Sequence, residues 1–103
     1  MSVNSPFEID ERTRFLGFDL DGEATEYLPY LNLRRIKFSE GSSREKEKIE
    51  IHFEFAQATI EGKNLKELVS LIRHETLSIL RKGISTDPNH PEISNIRLVF
   101  PQS

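Results

Sequence analysis

Apolar and polar residues alternate along much of this chain, and the alternation changes phase at identifiable points. Leu16, Phe18 and Leu20 are separated by Gly17 and Asp19, which predicts a strand over 14–20. The strand stops at Asp21-Gly22, a dipeptide that tolerates the positive φ angles of a tight hairpin turn. Pro29 holds Leu28 extended, and residues 31–38 read as a further strand. Its apolar residues switch phase between Leu31/Leu33 and Ile36/Phe38, so a bulge is expected near Arg34-Arg35. The polar stretch 39–48 contains Gly41-Ser42-Ser43 and predicts an exposed hairpin loop. Ile49, Ile51, Phe53 and Phe55 then alternate with Glu50, His52 and Glu54, the clearest period-two signal in the chain. Beyond Phe55 the apolar residues Ala56, Ala58 and Ile60 fall on the opposite parity. A continuous strand here would reach about 40 Å, so a bulge or sharp bend is expected near Ala56-Gln57.

From residue 64 the period becomes helical. Leu65, Leu68, Val69, Ile72, Thr76, Ile79 and Leu80 form one stripe, which predicts an amphipathic helix ending near Lys82. Asn64 and Glu67 have the spacing of a capping pair, and Gly83 suits the left-handed position after the last turn. Residues 85–95 carry two prolines and many turn formers and read as a loop. Ile96, Leu98 and Phe100 mark a final strand that stops at Pro101. Ser5-Pro6-Phe7-Glu8 has capping-box form, so one helical turn is expected within an N-terminal arm over 1–12. Residues 13–101 then form one domain. The expected fold is α+β in two layers, with the order β-β-β-α-β. A mainly antiparallel sheet of three to five strands carries one long helix on one face.

Composition narrows the chemistry. The chain has 103 residues, 36% of them hydrophobic and 30% charged, which suits one domain with a thin core and a charged surface. Seventeen acidic against fourteen basic residues give a net charge of −3, which offers no general attraction for nucleic acid. Without cysteine there are no disulfides, zinc thiolates or cysteine nucleophiles, and a reduced cytoplasmic setting is the expectation. No apolar run approaches the ~20 residues of a membrane helix, and residues 1–10 lack the form of a signal peptide.

Several segments look like chemistry. Phe18-Asp19-Leu20-Asp21-Gly22 resembles motif one of the haloacid dehalogenase-like phosphatases. The resemblance implies Asp19 as nucleophile and Asp21 as general acid–base, both helping to hold magnesium. Glu23 departs from the Thr or Val usual there, and the rest of the chain lacks the repeated βαβ units on which that chemistry is built. A strand ending in an Asp-Gly turn is the simpler account. His52-Phe53-Glu54 has half of a zinc deaminase signature, but the cysteine pair is missing. His74-Glu75 begins a zincin-like motif, but Ser78 stands where the second histidine belongs. His90 sits in a loop, and the acids Asp19, Asp21, Glu23 and Glu26 fit no EF-hand. No metal site or cofactor is expected.

One helix covers one face of a sheet, so the other face is expected to meet a partner. Arg34, His52, Glu54, Ala56, Ala58, Arg97 and Val99 are assigned to that face, with Leu71 and Leu77 on the flanks of the helix stripe. The favoured function is therefore a small non-enzymatic interaction domain, forming a homodimer or binding a protein partner. The alternative is a sheet for single-stranded nucleic acid, with Arg34, Arg35 and Lys37 beside Tyr27, Tyr30 and Phe38. A metal-dependent hydrolase using Asp19 and Asp21 ranks third.

Overall fold

The computed structural model describes residues 5–20, 24–42, 46–84 and 87–101. Its elements run β1 (Phe7–Ile9), β2 (Phe15–Asp19), β3 (Thr25–Pro29), a 3₁₀ turn (Tyr30–Asn32), β4 (Leu33–Ser39) and β5 (Glu47–Phe53). They continue through β6 (Gln57–Lys63), α1 (Lys66–Arg73), β7 (Leu77–Leu80) and β8 (Glu92–Val99). A first sheet has the strand order β1-β7-β2-β3, and a second has β4-β5-β6-β8. The β2–β7 pair is parallel, and the other pairings are antiparallel.

This architecture overturns the expected α+β fold. The protein is mostly β, and the described residues form two four-stranded sheets and one eight-residue helix. The long helical stripe breaks in its middle. Helix α1 ends at Arg73, and Glu75 takes a left-handed φ of 57°. The Glu75 amide donates to Ile72 O and the Thr76 amide to Leu71 O, both at 3.0 Å, the paired bonds of a Schellman stop. The expected termination chemistry thus occurs, but eight residues before Gly83 and on a glutamate. Gly83 instead exchanges backbone hydrogen bonds with Ile93, at 2.9 and 3.0 Å. Residues 77–80 become an interior strand, whose backbone finds partners on both sides and whose Leu77 and Leu80 are fully buried. Full burial of each leucine stabilises by roughly 1.5–3 kcal/mol, which exceeds any difference in helix propensity over four residues.

The helix start also differs from expectation. Asn64 lies at φ 57° before the helix, and its side-chain amide donates to Pro88 O at 2.6 Å and His90 O at 3.3 Å. Glu47 Oε1, not Asn64, accepts from the Leu65 amide at 2.8 Å.

Other expectations meet the structure more closely. The phase switch in β4 is a bulge: Leu33 pairs with Phe53 and Arg35 with His52, leaving Arg34 as the extra residue. The bend expected near Ala56-Gln57 is a full reversal. β5 and β6 form a tight hairpin closed by the Phe53 amide donating to Ala56 O at 2.8 Å. Phe7–Ile9, expected in an arm, pair with β7 as a strand rather than a helical turn. β8 begins four residues earlier than expected, because Ile93 is buried between Gly62 and Gly83. The Asp21-Gly22 turn lies outside the described residues, although Leu20 and Ala24 bond across its base at 2.8 Å.

One hydrophobic core serves both sheets and the helix. It draws Leu16, Phe18 and Leu80 from the first sheet, Ile49, Ile51 and Ile60 from the second, and Leu68 and Ile72 from α1. Phe18 of β2 meets Phe53 of β5 edge-on, with ring centroids 6.2 Å apart. Tyr30 closes the same seam by donating its hydroxyl to Leu77 O at 2.5 Å. Burial, reinforced by the Glu75 carboxylate, pushes the Tyr30 phenol well above its ordinary pKa.

Candidate functional site

The outer face of the first sheet carries a group of exposed and half-exposed apolar residues on its paired strands. Its centre is a cross-strand row, Ile79–Gly17–Tyr27. Gly17 is the floor of this row. A Cβ placed there would come within 2.6 Å of Ile79 Cδ1 and 2.8 Å of Tyr27 Cε1, so both side chains lean over the glycine from opposite sides. Phe15, two residues earlier and therefore on the same face, is directly opposite Pro29. Phe15 is 46% exposed and Tyr27 56%. Leu31, in the 3₁₀ turn that follows β3, is 88% exposed. The row ends in polar groups, with Asp19 opposite Thr25 at one end and Glu8 beside Ile79. Arg81 pairs with Glu8 and also donates to Ser5 O at 2.9 Å, which ties β1 to the end of β7.

The outer face of the second sheet is different in kind. Its cross-strand rows read Arg35–His52–Gln57–Val99 and Lys37–Glu50–Thr59–Arg97. His52 Nε2 lies 3.8 Å from Glu50 Oε2. At the end of this sheet Glu54 accepts from Asn32 Nδ2 at 2.9 Å and Arg34 Nη2 at 2.8 Å. The Asn32 bond first, and then the Arg34 charge, hold the Glu54 carboxyl below the ordinary glutamate range.

The residues assigned to a partner surface are therefore dispersed. His52, Arg97 and Val99 do share the outer face of the second sheet. Arg34 and Glu54 meet at its end, one from the bulge and the other from the β5–β6 turn. Ala58 is fully buried opposite Ile51, and Ala56 is buried as well. The sequence placed both alanines on the outside because parity was carried through one long strand. A two-residue hairpin reverses the chain and brings both parities to the same side. Leu77 is buried in β7, and Leu71 packs against the core rather than projecting from it. The aromatic and basic residues grouped for nucleic acid also separate. Tyr30 is buried, Phe38 packs on the core, and Tyr27 belongs to the other sheet.

Among the described residues no three histidine or acidic side chains gather as a metal site. Asp19 ends β2, while Asp21 and Glu23 lie outside the described residues. No helix among the described residues is long and apolar enough to cross a membrane.

Sequence reasoning missed the Phe15–Tyr27–Ile79 face, although part of its signal was present. Phe15 has the opposite parity to Leu16 and Phe18, and Tyr27 the opposite parity to Leu28. Each is a large apolar residue at an outward position. No known protein family, curated protein or solved structure matches this chain.

Proposed function

We propose that this protein is a non-catalytic interaction domain that self-associates through the outer face of its first sheet. The observation that carries this reading is the Ile79–Gly17–Tyr27 row flanked by Phe15 and Pro29. The glycine floor lets two large side chains lie flat, and a flat apolar tile is the shape that packs on another sheet. The polar rim of Glu8, Asp19 and Thr25 would surround the contact in the usual manner of an interface. Phe15 and Tyr27 are each about half exposed, so two copies would bury roughly 400 Å² from their four rings. That is about a third of the ~1,200 Å² a stable interface needs, with Ile79, Pro29 and the strand rims supplying more. The reading therefore predicts a dimer whose population depends on concentration.

Light scattering during size-exclusion chromatography at micromolar and millimolar loads tests this directly. A mass rising from 11.9 kDa towards twice that value supports self-association. Tyr27→Glu, which puts a charge on the β3 side of the tile, should return the protein to monomer without lowering its melting temperature. A monomer at every concentration would end the reading.

A further inference from the structure

We propose that Arg34, Arg35 and Arg73 form a binding site for the phosphate group of a small phosphorylated ligand. The three arginines line one open hollow of about 400 Å³, together with Leu33 and Ile36. That volume falls within the ~300–1,000 Å³ range of small-molecule sites. In a regular strand, successive side chains point to opposite faces, so Arg34 and Arg35 would diverge. The bulge in β4 breaks the alternation and lets both reach the same space. Arg73 arrives from a different element, the last turn of α1.

Charge bookkeeping selects the ligand class. Arg34 is already matched by Glu54 at 2.8 Å. Arg35 and Arg73 are both exposed and make no ion pair with a described carboxylate. Among the described residues the guanidinium charges of Arg35 and Arg73 are therefore unmatched, in a chain whose net charge is −3. A phosphate monoester carries about −1.5 to −2 at neutral pH and offers three acceptor oxygens. Its geometry suits the planar fork of arginine, which donates two parallel hydrogen bonds to one oxyanion. Leu33 and Ile36 provide an apolar border beside the cations, which favours a phosphate attached to an apolar or aromatic body over a bare ion.

The test is isothermal titration and amide chemical-shift mapping of the intact chain with inorganic phosphate, pyrophosphate and adenosine monophosphate. Binding of adenosine monophosphate, with shifts confined to 33–36 and 73, is the expected result. Arg35→Gln and Arg73→Gln should each weaken that binding about tenfold or more, as loss of a charge-assisted hydrogen bond implies. Arg97→Gln, on the outer face of β8, should leave the binding unchanged, and melting temperatures will show whether each variant is folded. Absence of binding by all three probes at millimolar concentration overturns the site. Equal weakening by Arg97→Gln overturns it too, because the attraction would then be diffuse. Tighter binding of a single-stranded oligonucleotide, lost with Arg97→Gln, would replace the proposal with nucleic-acid binding on the second sheet.

Discussion

Gly62 lies where three stretches of backbone converge, and adding a single methyl group there gives the sharpest test of the fold. A Cβ at Gly62 would stand 1.8 Å from Glu92 O, 2.9 Å from Glu92 C and 3.1 Å from Ile93 Cα. All three atoms belong to the backbone of β8, so no side-chain rotation relieves the clash. Carbon–oxygen contacts relax near 3.3 Å, so β6 and β8 would have to part locally by about 1.5 Å. The separation falls where the β6–β8 register already shifts, between Glu61 and Gly62. It also falls where Ile93 bonds Gly83 on its other side. Losing two backbone hydrogen bonds costs about 2 kcal/mol, and overpacking adds about 1–3 kcal/mol. Gly62→Ala should therefore destabilise by about 3–5 kcal/mol, a large share of the ~5–15 kcal/mol typical of a domain. With a urea m-value of about 1.5 kcal/mol/M, the unfolding midpoint should fall by about 2–3 M. Gly17→Ala is the control. Its close contacts, Ile79 Cδ1 and Tyr27 Cε1, are the far ends of flexible side chains, so the expected loss is below about 1.5 kcal/mol. A Gly62→Ala midpoint within about 0.3 M of the parent would refute the backbone argument, and equal losses in both variants would show that the contacted atom type does not matter.

Further outcomes follow from the polar groups and the helix stop. Because burial raises the folded-state pKa of Tyr30, its contribution to stability is complete below the ordinary phenol value of about 10 and is lost as pH rises beyond it. Urea unfolding at pH 8 and pH 11 should show this alkaline loss, while Tyr30→Phe should be about 1 kcal/mol less stable at pH 8 and show less of the alkaline loss. An unchanged alkaline loss in Tyr30→Phe would assign it elsewhere. A carboxyl-detected NMR titration should place the Glu54 midpoint below the ordinary glutamate range, and Asn32→Ala should raise it. A midpoint unmoved by that substitution would show that the amide bond is not its main cause. Glu75→Gly should raise the melting temperature by several degrees, since a non-glycine residue at φ 57° costs about 1 kcal/mol. A lower melting temperature would show that unfolded-state entropy outweighs the relieved strain.

The features that could be read from the sequence were those in which a side-chain pattern had one local solution. The bulge at Arg34 was visible because two apolar pairs on one strand differ in phase, and β5 because Ile49, Ile51 and Phe53 alternate with charge. The β5–β6 hairpin was hidden because Glu54-Phe55 has none of the usual turn residues, and its closure depends on strand pairing. β7 was hidden for a related reason. Four residues containing two leucines and an isoleucine satisfy a helical stripe as readily as a strand, and the choice depends on β1 and β2, which lie far away in sequence. The site followed the same division. Arg34 was singled out and does line the basic hollow, whereas Arg73 joins it only through the packing of α1 near β4. Leu77 and Ala58 were placed outside because the elements that bury them were unassigned.

β7 also sets the order in which the molecule can be assembled. It lies between β1 and β2 in the first sheet, yet it is separated from β1 in sequence by most of the strands of the second sheet. The β2–β3 and β4–β5–β6 pairings join neighbouring segments and can form early, while β1 pairs with residues 77–80, which come about seventy residues later. Such long loop closures place folding in the millisecond-to-second range typical of β-rich domains. Until that last strand docks, the inner sides of Leu16 and Phe18 have an open edge beside them, so the slow step in folding is also the interval of greatest exposure to aggregation.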